Sequence, residues 1–217
     1  MPVYILGEEL WFPPVEEALE DGLLAAGGDL GADRLLLAYR SGIFPWYNDD
    51  EPPLWWSPDP RFVLVPEELK VSKSMKQVMR KGELEFRMDT AFEEVIRNCS
   101  TTRRKDDPGT WISAEIVSAY TALHKLGHAH SAEAWMDGEL VGGLYGIWLG
   151  DIFFGESMFS KVSNASKFAF ISWVQYLQQK EVRLIDCQVF TDHLQSLGAR
   201  MITRADFIGM LGEYIPA

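Results

Sequence analysis

Two apolar segments of the sequence carry acidic or amide side chains. Residues 153–160 read FFGESMFS and residues 184–188 read LIDCQ, which places Glu156, Asp186 and Gln188 among residues typical of a core. A buried carboxylate costs free energy unless it is paired or used. The pattern therefore indicates a site where charged or reacting groups meet an apolar pocket. Two buried acids that are paired within an ion-pair network would give the same pattern, and at this point both interpretations stay open.

Aromatic residues and one basic segment suggest contacts with nucleic acid. Four tryptophans lie in or beside loops rich in Pro, Gly, Asp and Ser, namely Trp46, Trp55, Trp56 and Trp111. Flat rings of this kind either complete a core or stack on nucleobases. Five basic residues recur on one predicted helical segment of an otherwise acidic chain: Lys70, Lys73, Lys76, Arg80 and Lys81. Such a run is usually a solvated helix face, but its contrast with the net charge of −12 also favours phosphate contacts.

Other familiar catalytic patterns are missing from the sequence. His124, His128 and His130 are close in sequence, but a helix, a turn and a strand should aim them differently. Cys99 and Cys187 have no CxxC or Cys/His ligand spacing, so we expect buried thiols and no metal site. There is no GxxxxGKS loop, no GxGxxG turn and no GxSxG elbow.

Composition fits a globular protein of the cytoplasm. The 217 residues are 47% hydrophobic and 24% charged, which allows one large domain, or a small domain attached to a larger one. The net charge of −12 argues against nonspecific coating of nucleic acid. The N-terminal residues lack the basic region of a secretion signal, and no apolar run approaches the ~20 residues needed to span a bilayer. We therefore expect no membrane association.

Patterning predicts an α+β chain with a boundary near Arg61. A proline-rich, aromatic stretch before this residue closes a small N-terminal domain, residues 1–61, which should need to pack on the larger domain, residues 62–217. Hydrophobic periodicity and turn signals predict helices at 33–40, 72–81, 91–99, 114–126, 164–180, 192–197 and 205–211. They predict strands at 62–65, 84–88, 130–136, 140–148, 152–158 and about 182–185, with a hairpin at Asp137-Gly138.

Seven sequence blocks, taken in order, resemble one family. They are residues 27–30 (GGDL), 42–46 (GIFPW), 54–61 (LWWSPDPR), 109–112 (GTWI), 126–131 (LGHAHS), 155–160 (GESMFS) and 184–188 (LIDCQ). Together they closely resemble the leucyl/phenylalanyl-tRNA–protein transferases, over a stretch from about residue 12 to residue 199. Any one block would be weak, whereas seven in the same order are specific.

The resemblance implies an activity and a fold. Enzymes of this family move leucine or phenylalanine, and to a lesser extent methionine, from aminoacyl-tRNA to the N-terminal Arg or Lys of proteins. That mark leads to N-end-rule degradation. The implied fold is a small N-terminal domain plus a GNAT-like domain, similar to GCN5-type acetyltransferases. No cofactor is implied; the implied partners are leucyl-tRNA, phenylalanyl-tRNA and the acceptor proteins, and we expect a cytoplasmic monomer.

The resemblance also implies roles for individual residues. Trp46 and Trp111 would hold the 3′-terminal adenosine of the tRNA, and the basic segment from Lys70 to Lys81 would contact its phosphates. The aminoacyl side chain would occupy an apolar pocket formed by Leu144, Phe153, Phe170, Trp173, Leu177 and Ile185. Here the bulk of Trp173 would narrow substrate choice toward leucine.

Three polar residues would form the reactive end of that pocket. Asp186 and Gln188 would act as a hydrogen-bonded pair that orients the attacking amine and assists proton removal. Because Gln188 is neutral, Asp186 or a ribose hydroxyl would have to share the task of moving the proton. Glu156 would accept the cationic acceptor terminus, through its ammonium or its basic side chain.

Two alternatives compete with this interpretation. An N-acyltransferase of the same fold would use acyl-CoA, but the segment entering the long helix, residues 159–166, has no glycine for a pyrophosphate-binding turn. A non-catalytic binder of basic N-termini could use the acidic surface and the aromatic residues, but would not need a basic helix or a deep apolar pocket.

Overall fold

A computed structural model of the chain describes residues 3–101 and 112–216. Trp111 lies outside the described residues. The N-terminal part forms a four-stranded sheet in the order β1-β2-β4-β3, in which only the β1–β2 pair is parallel. Its elements are β1 (Tyr4–Leu6), β2 (Leu23–Gly27), helix α1 (Ala32–Arg40), β3 (Phe44–Pro45) and β4 (Leu54–Trp56).

The rest of the chain builds a seven-stranded sheet in the order β11-β5-β10-β9-β8-β7-β6. Its strands are β5 (Arg61–Leu64), β6 (Glu85–Met88), β7 (Ala129–Met136), β8 (Glu139–Leu149), β9 (Ile152–Ser160), β10 (Leu184–Gln188) and β11 (Arg200–Ile202). The helices are α2 (Lys73–Lys81), α3 (Phe92–Thr101), α4 (Ala114–Lys125), α5 (Ala165–Gln179), α6 (Asp192–Ser196) and α7 (Arg204–Tyr214). Among the described residues, no helix is long and apolar enough to cross a bilayer.

The α+β class and most predicted elements are confirmed. Asp137 and Gly138 both have positive φ, 52° and 81°, as a tight hairpin turn between β7 and β8 requires. The sequence did not predict β1, β2, β3, β4 or β11, which have only two to five residues each and are too short for a periodic signal. The predicted domain boundary near Arg61 falls between the two sheets and stays a prediction.

Each face of the large sheet packs into its own hydrophobic cluster. Along β9, Phe153 points into the cluster beneath α5, and the next residue, Phe154, points into the opposite cluster. That second cluster also contains Tyr39 and Trp55 from the N-terminal part of the chain. The small sheet therefore shares a continuous core with the larger one, as its size requires.

The parallel pairing of β9 with β10 stops in the middle of the sheet. The last paired residues are Phe154 and Asp186, and the register of β10 against β5 shifts between Asp186 and Gln188. Beyond this point both strands continue without pairing to each other. The residues that follow on each strand line a cavity, so the interruption in the sheet creates the space for a site.

One glycine beside this interruption has no room for a side chain. A Cβ on Gly146 of β8 would lie 2.1 Å from the Phe154 carbonyl oxygen and 2.5 Å from Phe153 Cζ. We predict that Gly146→Ala lowers the free energy of unfolding by about 1–3 kcal/mol, because these contacts force a shift of the backbone. Gly209→Ala is the matched control, since nothing lies within 4 Å of its added Cβ. Because Gly209 lies in α7, this control should raise the free energy of unfolding by about 0.5–1 kcal/mol. Equal changes for the two variants in urea unfolding would contradict the prediction.

Candidate active site

A cavity of about 410 Å³ opens where β9 and β10 cease to pair. Most of its wall is apolar, with a few polar groups converging at one end, which is the usual composition of a small-molecule site. The apolar wall includes Phe44, Leu144, Phe153, Met158, Phe170, Ile185 and Leu194. The polar groups that line it include Glu156, Ser157, Ser166, Asp186, Gln188, Thr191 and His193.

Glu156 of β9 lies at the polar end and is buried among three hydrogen-bond donors. Its Oε1 accepts hydrogen bonds from the Tyr39 hydroxyl, at 2.7 Å, and from Gln188 Nε2, at 2.9 Å. Its Oε2 accepts a hydrogen bond from the Tyr120 hydroxyl, at 3.1 Å. The two tyrosine hydroxyls also contact each other. Three oxygen-bearing side chains, from α1, α4 and β9, therefore form a closed triangle.

The environment of Glu156 makes its carboxyl a group that titrates near neutrality. Burial, with a contribution from the nearby charge of Asp186, raises the pKa of Glu156 to about 7, although hydrogen bonds from Tyr39, Tyr120 and Gln188 lower it in part. Burial beside Glu156 raises the pKa of both tyrosines well above their usual value. The two hydroxyls therefore stay protonated.

Asp186 has a different environment, because both of its oxygens are occupied by Arg61. Arg61 Nε donates to Oδ1 at 2.9 Å, and Nη2 donates to Oδ2 at 2.7 Å. Both side chains are almost completely buried, and the guanidinium lies 4.7 Å from the ring centroids of Phe44 and Phe207. Asp186 is thus one half of a buried, bidentate ion pair.

The same carboxylate fixes the backbone of Gln188. Asp186 Oδ1 accepts a hydrogen bond from the Gln188 amide at 2.9 Å, and the Val189 amide donates to the Cys187 carbonyl at 2.8 Å. Gln188 is left with a φ of +62°, a left-handed conformation that is uncommon for a residue with a side chain. Strained backbone of this kind clusters at functional sites. Here it directs the Gln188 side chain toward Glu156.

The structure brings four of the six predicted pocket residues to the cavity wall, namely Leu144, Phe153, Phe170 and Ile185. Trp173 and Leu177 are fully buried and are not among the lining residues. The Trp173 ring packs edge-on against Phe153, with ring centroids 5.1 Å apart, and so supports the wall from behind.

The predicted nucleic-acid contacts lie in two places. Trp46 lines the mouth of the cavity and is 42% exposed, with the Trp56 ring 5.8 Å away. Its predicted partner, Trp111, lies outside the described residues. On α2, a shallow groove is lined by Lys73, Lys76, Gln77, Arg80 and Lys81, while Lys70 precedes the helix.

Three residues that organise the polar end were not identified from the sequence. Tyr39 and Tyr120 lie on helices where their rings count as ordinary apolar positions, and nothing local reveals the hydroxyl contacts. Arg61 was recognised only as part of a family block. Within residues 3–101 and 112–216, no group of three or more His, Cys, Asp or Glu side chains is arranged to hold a metal ion.

The raised pKa of Glu156 predicts a pH-dependent stability. A folded-state pKa of about 7 exceeds the ordinary value of 4.5, so the folded protein binds a proton that the unfolded chain releases. This stabilisation is complete below pH 4.5 and is lost as the pH rises to about 7. We predict that, between pH 4.5 and 8, the free energy of unfolding of the wild type falls by on the order of 3 kcal/mol relative to that of Glu156→Gln. Urea unfolding of both proteins measures the difference, and a pH-independent difference would contradict the assignment.

Comparisons with known proteins identify the family. The family described as leucyl/phenylalanyl-tRNA protein transferase matches residues 63–212, and its N-terminal domain matches residues 28–59. A leucyl/phenylalanyl-tRNA–protein transferase of Syntrophobacter fumaroxidans is 57% identical over 216 residues, covering 100% of this chain and 92% of that relative. One from Flavobacterium johnsoniae is 55% identical over 209 residues, covering 96% of this chain and 99% of the relative.

The solved structures that match are much more distant in sequence. A GCN5-related N-acetyltransferase from Kribbella flavida is 11% identical, with a TM-score of 0.37, over 76% of this chain and 58% of that one. The family assignment therefore follows from the matches in sequence, which extend along almost the whole chain. The chain belongs to the leucyl/phenylalanyl-tRNA protein transferase family and is an aminoacyltransferase.

Proposed function

We propose that this enzyme moves leucine or phenylalanine, and to a lesser extent methionine, from aminoacyl-tRNA to the N-terminal Arg or Lys of proteins. It would act as a cytoplasmic monomer without a cofactor and would mark its acceptors for N-end-rule degradation. The observation that carries the proposal is a single cavity with an apolar wall and a buried carboxyl, Glu156, at its polar end. An apolar side chain and a cation are the two groups that such a cavity must receive together.

The apolar wall is suited to the side chain of the transferred amino acid. Leu144, Phe153, Phe170 and Ile185 line it, and Trp173 and Leu177 would restrict its depth from behind. Size alone discriminates by about 1–3 kcal/mol per methylene, so some transfer of methionine is expected. At the mouth, the exposed ring of Trp46 is available to stack on the terminal adenosine, a role in which we also place Trp111.

The polar end is suited to an amine nucleophile. Glu156 can accept a hydrogen bond from the cationic terminus of the acceptor. Gln188 uses its amide nitrogen to donate to Glu156, so its carbonyl oxygen is the atom that would orient the amine. Asp186 holds the Gln188 backbone in place and would thereby keep that carbonyl oxygen directed at the amine. The ester of aminoacyl-tRNA is already activated. Alignment of the amine with the ester carbonyl can therefore lower the barrier by roughly 7–11 kcal/mol.

The first test compares two acceptor peptides that differ in their first residue. We expect transfer of radiolabelled leucine from leucyl-tRNA to a peptide that begins with Arg, and none to the same peptide beginning with Gly, because only the former adds a second positive charge. Initial rates of label incorporation at equal peptide concentration measure the difference. Phenylalanyl-tRNA and methionyl-tRNA in the same assay rank the donors.

Three outcomes would contradict the proposal. Equal transfer to both peptides would remove the selection for a basic N-terminus. Absence of transfer by folded protein, combined with thermal stabilisation by coenzyme A, would favour the acyl-CoA alternative. Peptide binding without any turnover would instead favour a non-catalytic binder of basic N-termini.

The basic groove on α2 yields a separate prediction about the tRNA. We propose that Lys70, Lys73, Lys76, Arg80 and Lys81 contact its phosphates, since positive charge in an acidic protein is concentrated there. The triple variant Lys73→Ala, Lys76→Ala, Arg80→Ala should raise KM for leucyl-tRNA and reduce the slope of log K against log salt by about 2–3. The kcat should change little, because the groove does not line the cavity.

Exposed lysines elsewhere provide the control. The pair Lys125→Ala, Lys180→Ala removes exposed positive charge from the ends of α4 and α5. If this control changes the salt dependence as much as the triple variant does, the effect reflects net charge alone. The assignment of α2 to phosphate contact would then be wrong.

A further inference from the structure

The triangle of Tyr39, Tyr120 and Glu156 lacks one proton when the carboxyl is ionised. Three oxygen–oxygen contacts join the three side chains, and each hydrogen bond needs one proton. Two hydroxyls supply only two protons, and both are used in donating to the carboxylate. The contact between Tyr39 and Tyr120 is then left with no proton to share. A third proton, placed on Glu156, lets every contact become a hydrogen bond around a closed cycle.

The triangle also has an opening toward the cavity. An ionised carboxyl has about four lone-pair positions. Oε1 uses two, for Tyr39 and Gln188, and Oε2 uses one, for Tyr120. One acceptor position on Oε2 therefore remains, and Glu156 lines the cavity in which the acceptor amine would lie. A single position suits one N–H of an ammonium group better than the paired donors of a guanidinium.

The polar residues at positions 186–188, next to Glu156 in the cavity, are less suited to receive a proton. Asp186 already accepts both donors of the Arg61 fork and the Gln188 amide, so protonation would break a buried ion pair. Cys187 stays a thiol, because burial raises the pKa of its sulfur well above the usual range. Gln188 is neutral and cannot hold a proton at neutral pH.

We propose that Glu156, together with Tyr39 and Tyr120, is the proton acceptor of aminoacyl transfer, so that the N-terminal part of the chain contributes Tyr39 to the active site. This inference rests on the proposed function, and it assigns the destination of the proton within that same site. The acceptor ammonium docks at the open position on Oε2 and gives one proton to it. The Oε2–H and the Tyr120 hydroxyl then turn, so that Oε2 donates to Tyr120, Tyr120 donates to Tyr39, and Tyr39 still donates to Oε1.

The neutral amine then completes the transfer with a balanced set of protons and bonds. Its nitrogen forms a bond to the ester carbonyl carbon, and the bond from that carbon to the ribose 3′-oxygen breaks. Of the three ammonium protons, one is now on Glu156, one moves to the departing 3′-oxygen, and one stays on the new amide. The pKa of about 7 for Glu156 is close to the ~8 of an α-amine, so the first transfer is nearly balanced.

The test removes one hydroxyl at a time and follows the rate across pH. Single-turnover transfer to the Arg peptide is measured from pH 6 to pH 8.5 for wild type, Tyr39→Phe and Tyr120→Phe. Each variant loses a donor to the ionised carboxyl, so Glu156 keeps its proton to a higher pH. We expect a loss of about 10²-fold at pH 7, the lower end of the range for acid–base catalysis, and an acidic limb moved to higher pH.

A matched control and a second measurement make the result decisive. Tyr4→Phe removes a hydroxyl that donates to Glu17, a tyrosine–glutamate pair in the small sheet away from the cavity, and should leave the profile unchanged. Infrared difference spectra report Glu156 directly. A protonated carboxyl band that titrates near pH 7 should be lost in Glu156→Gln and shifted to higher pH in the tyrosine variants.

The outcomes separate this inference from the proposed function. If wild type shows no transfer at all, the proposed function fails, while the infrared titration still tests the triangle. If wild type is active but the tyrosine variants lose the same factor at every pH, the hydroxyls only position Glu156 and the inference is wrong. Wild-type rates in Tyr39→Phe, or no carboxyl titration near pH 7, would also overturn it.

Discussion

The buried ion pair between Arg61 and Asp186 determines the geometry of the rest of the site. Two buried charges cost free energy unless they are paired, and here the guanidinium fork occupies both carboxylate oxygens. The pair joins β5 to β10, and the rings of Phe44 and Phe207 enclose it from β3 and α7. One interaction thereby fixes elements from both sheets around the end of β10.

That constraint reaches the reactive end of the cavity through the backbone. Asp186 Oδ1 also accepts a hydrogen bond from the amide of Gln188, two residues along the same strand. The register of β10 against β5 shifts at this point, so that Gln188 pairs with Phe62, and Gln188 adopts a left-handed conformation. A structural ion pair therefore places a side chain that is proposed to touch the substrate, although Asp186 itself need not do so.

Two buried acids in one cavity are given different tasks by their partners. The guanidinium of Arg61 contacts both oxygens of Asp186, whereas Glu156 accepts hydrogen bonds only from neutral donors. Neutral donors compensate burial less completely than a cation does, and the pKa of Glu156 consequently lies near neutrality. A site that needs one fixed charge and one exchangeable proton can thus be built from two similar side chains.

Sequence reasoning was successful where the information is local. Hairpin chemistry at Asp137-Gly138 and the apolar period of α5 are both encoded within a few residues. Periodicity identifies a face of a helix but not its depth, so Phe170, Trp173 and Leu177 looked alike, although only Phe170 lines the cavity. The polar partners could not be predicted in this way. Tyr39 and Glu156 are 117 residues apart, and Arg61 and Asp186 are 125 apart.

Those long-range contacts explain why the small N-terminal sheet belongs to the catalytic unit. A strand of two residues and another of three cannot be stable alone, and they gain their stability from the core shared with the large sheet. The same packing that buries Tyr39 also delivers its hydroxyl to Glu156 across the boundary between the two sheets. Any change that loosens this packing would expose the carboxyl to water, and the exposed carboxyl would return toward its ordinary pKa. The same buried surface therefore stabilises the small sheet and sets the pKa of Glu156.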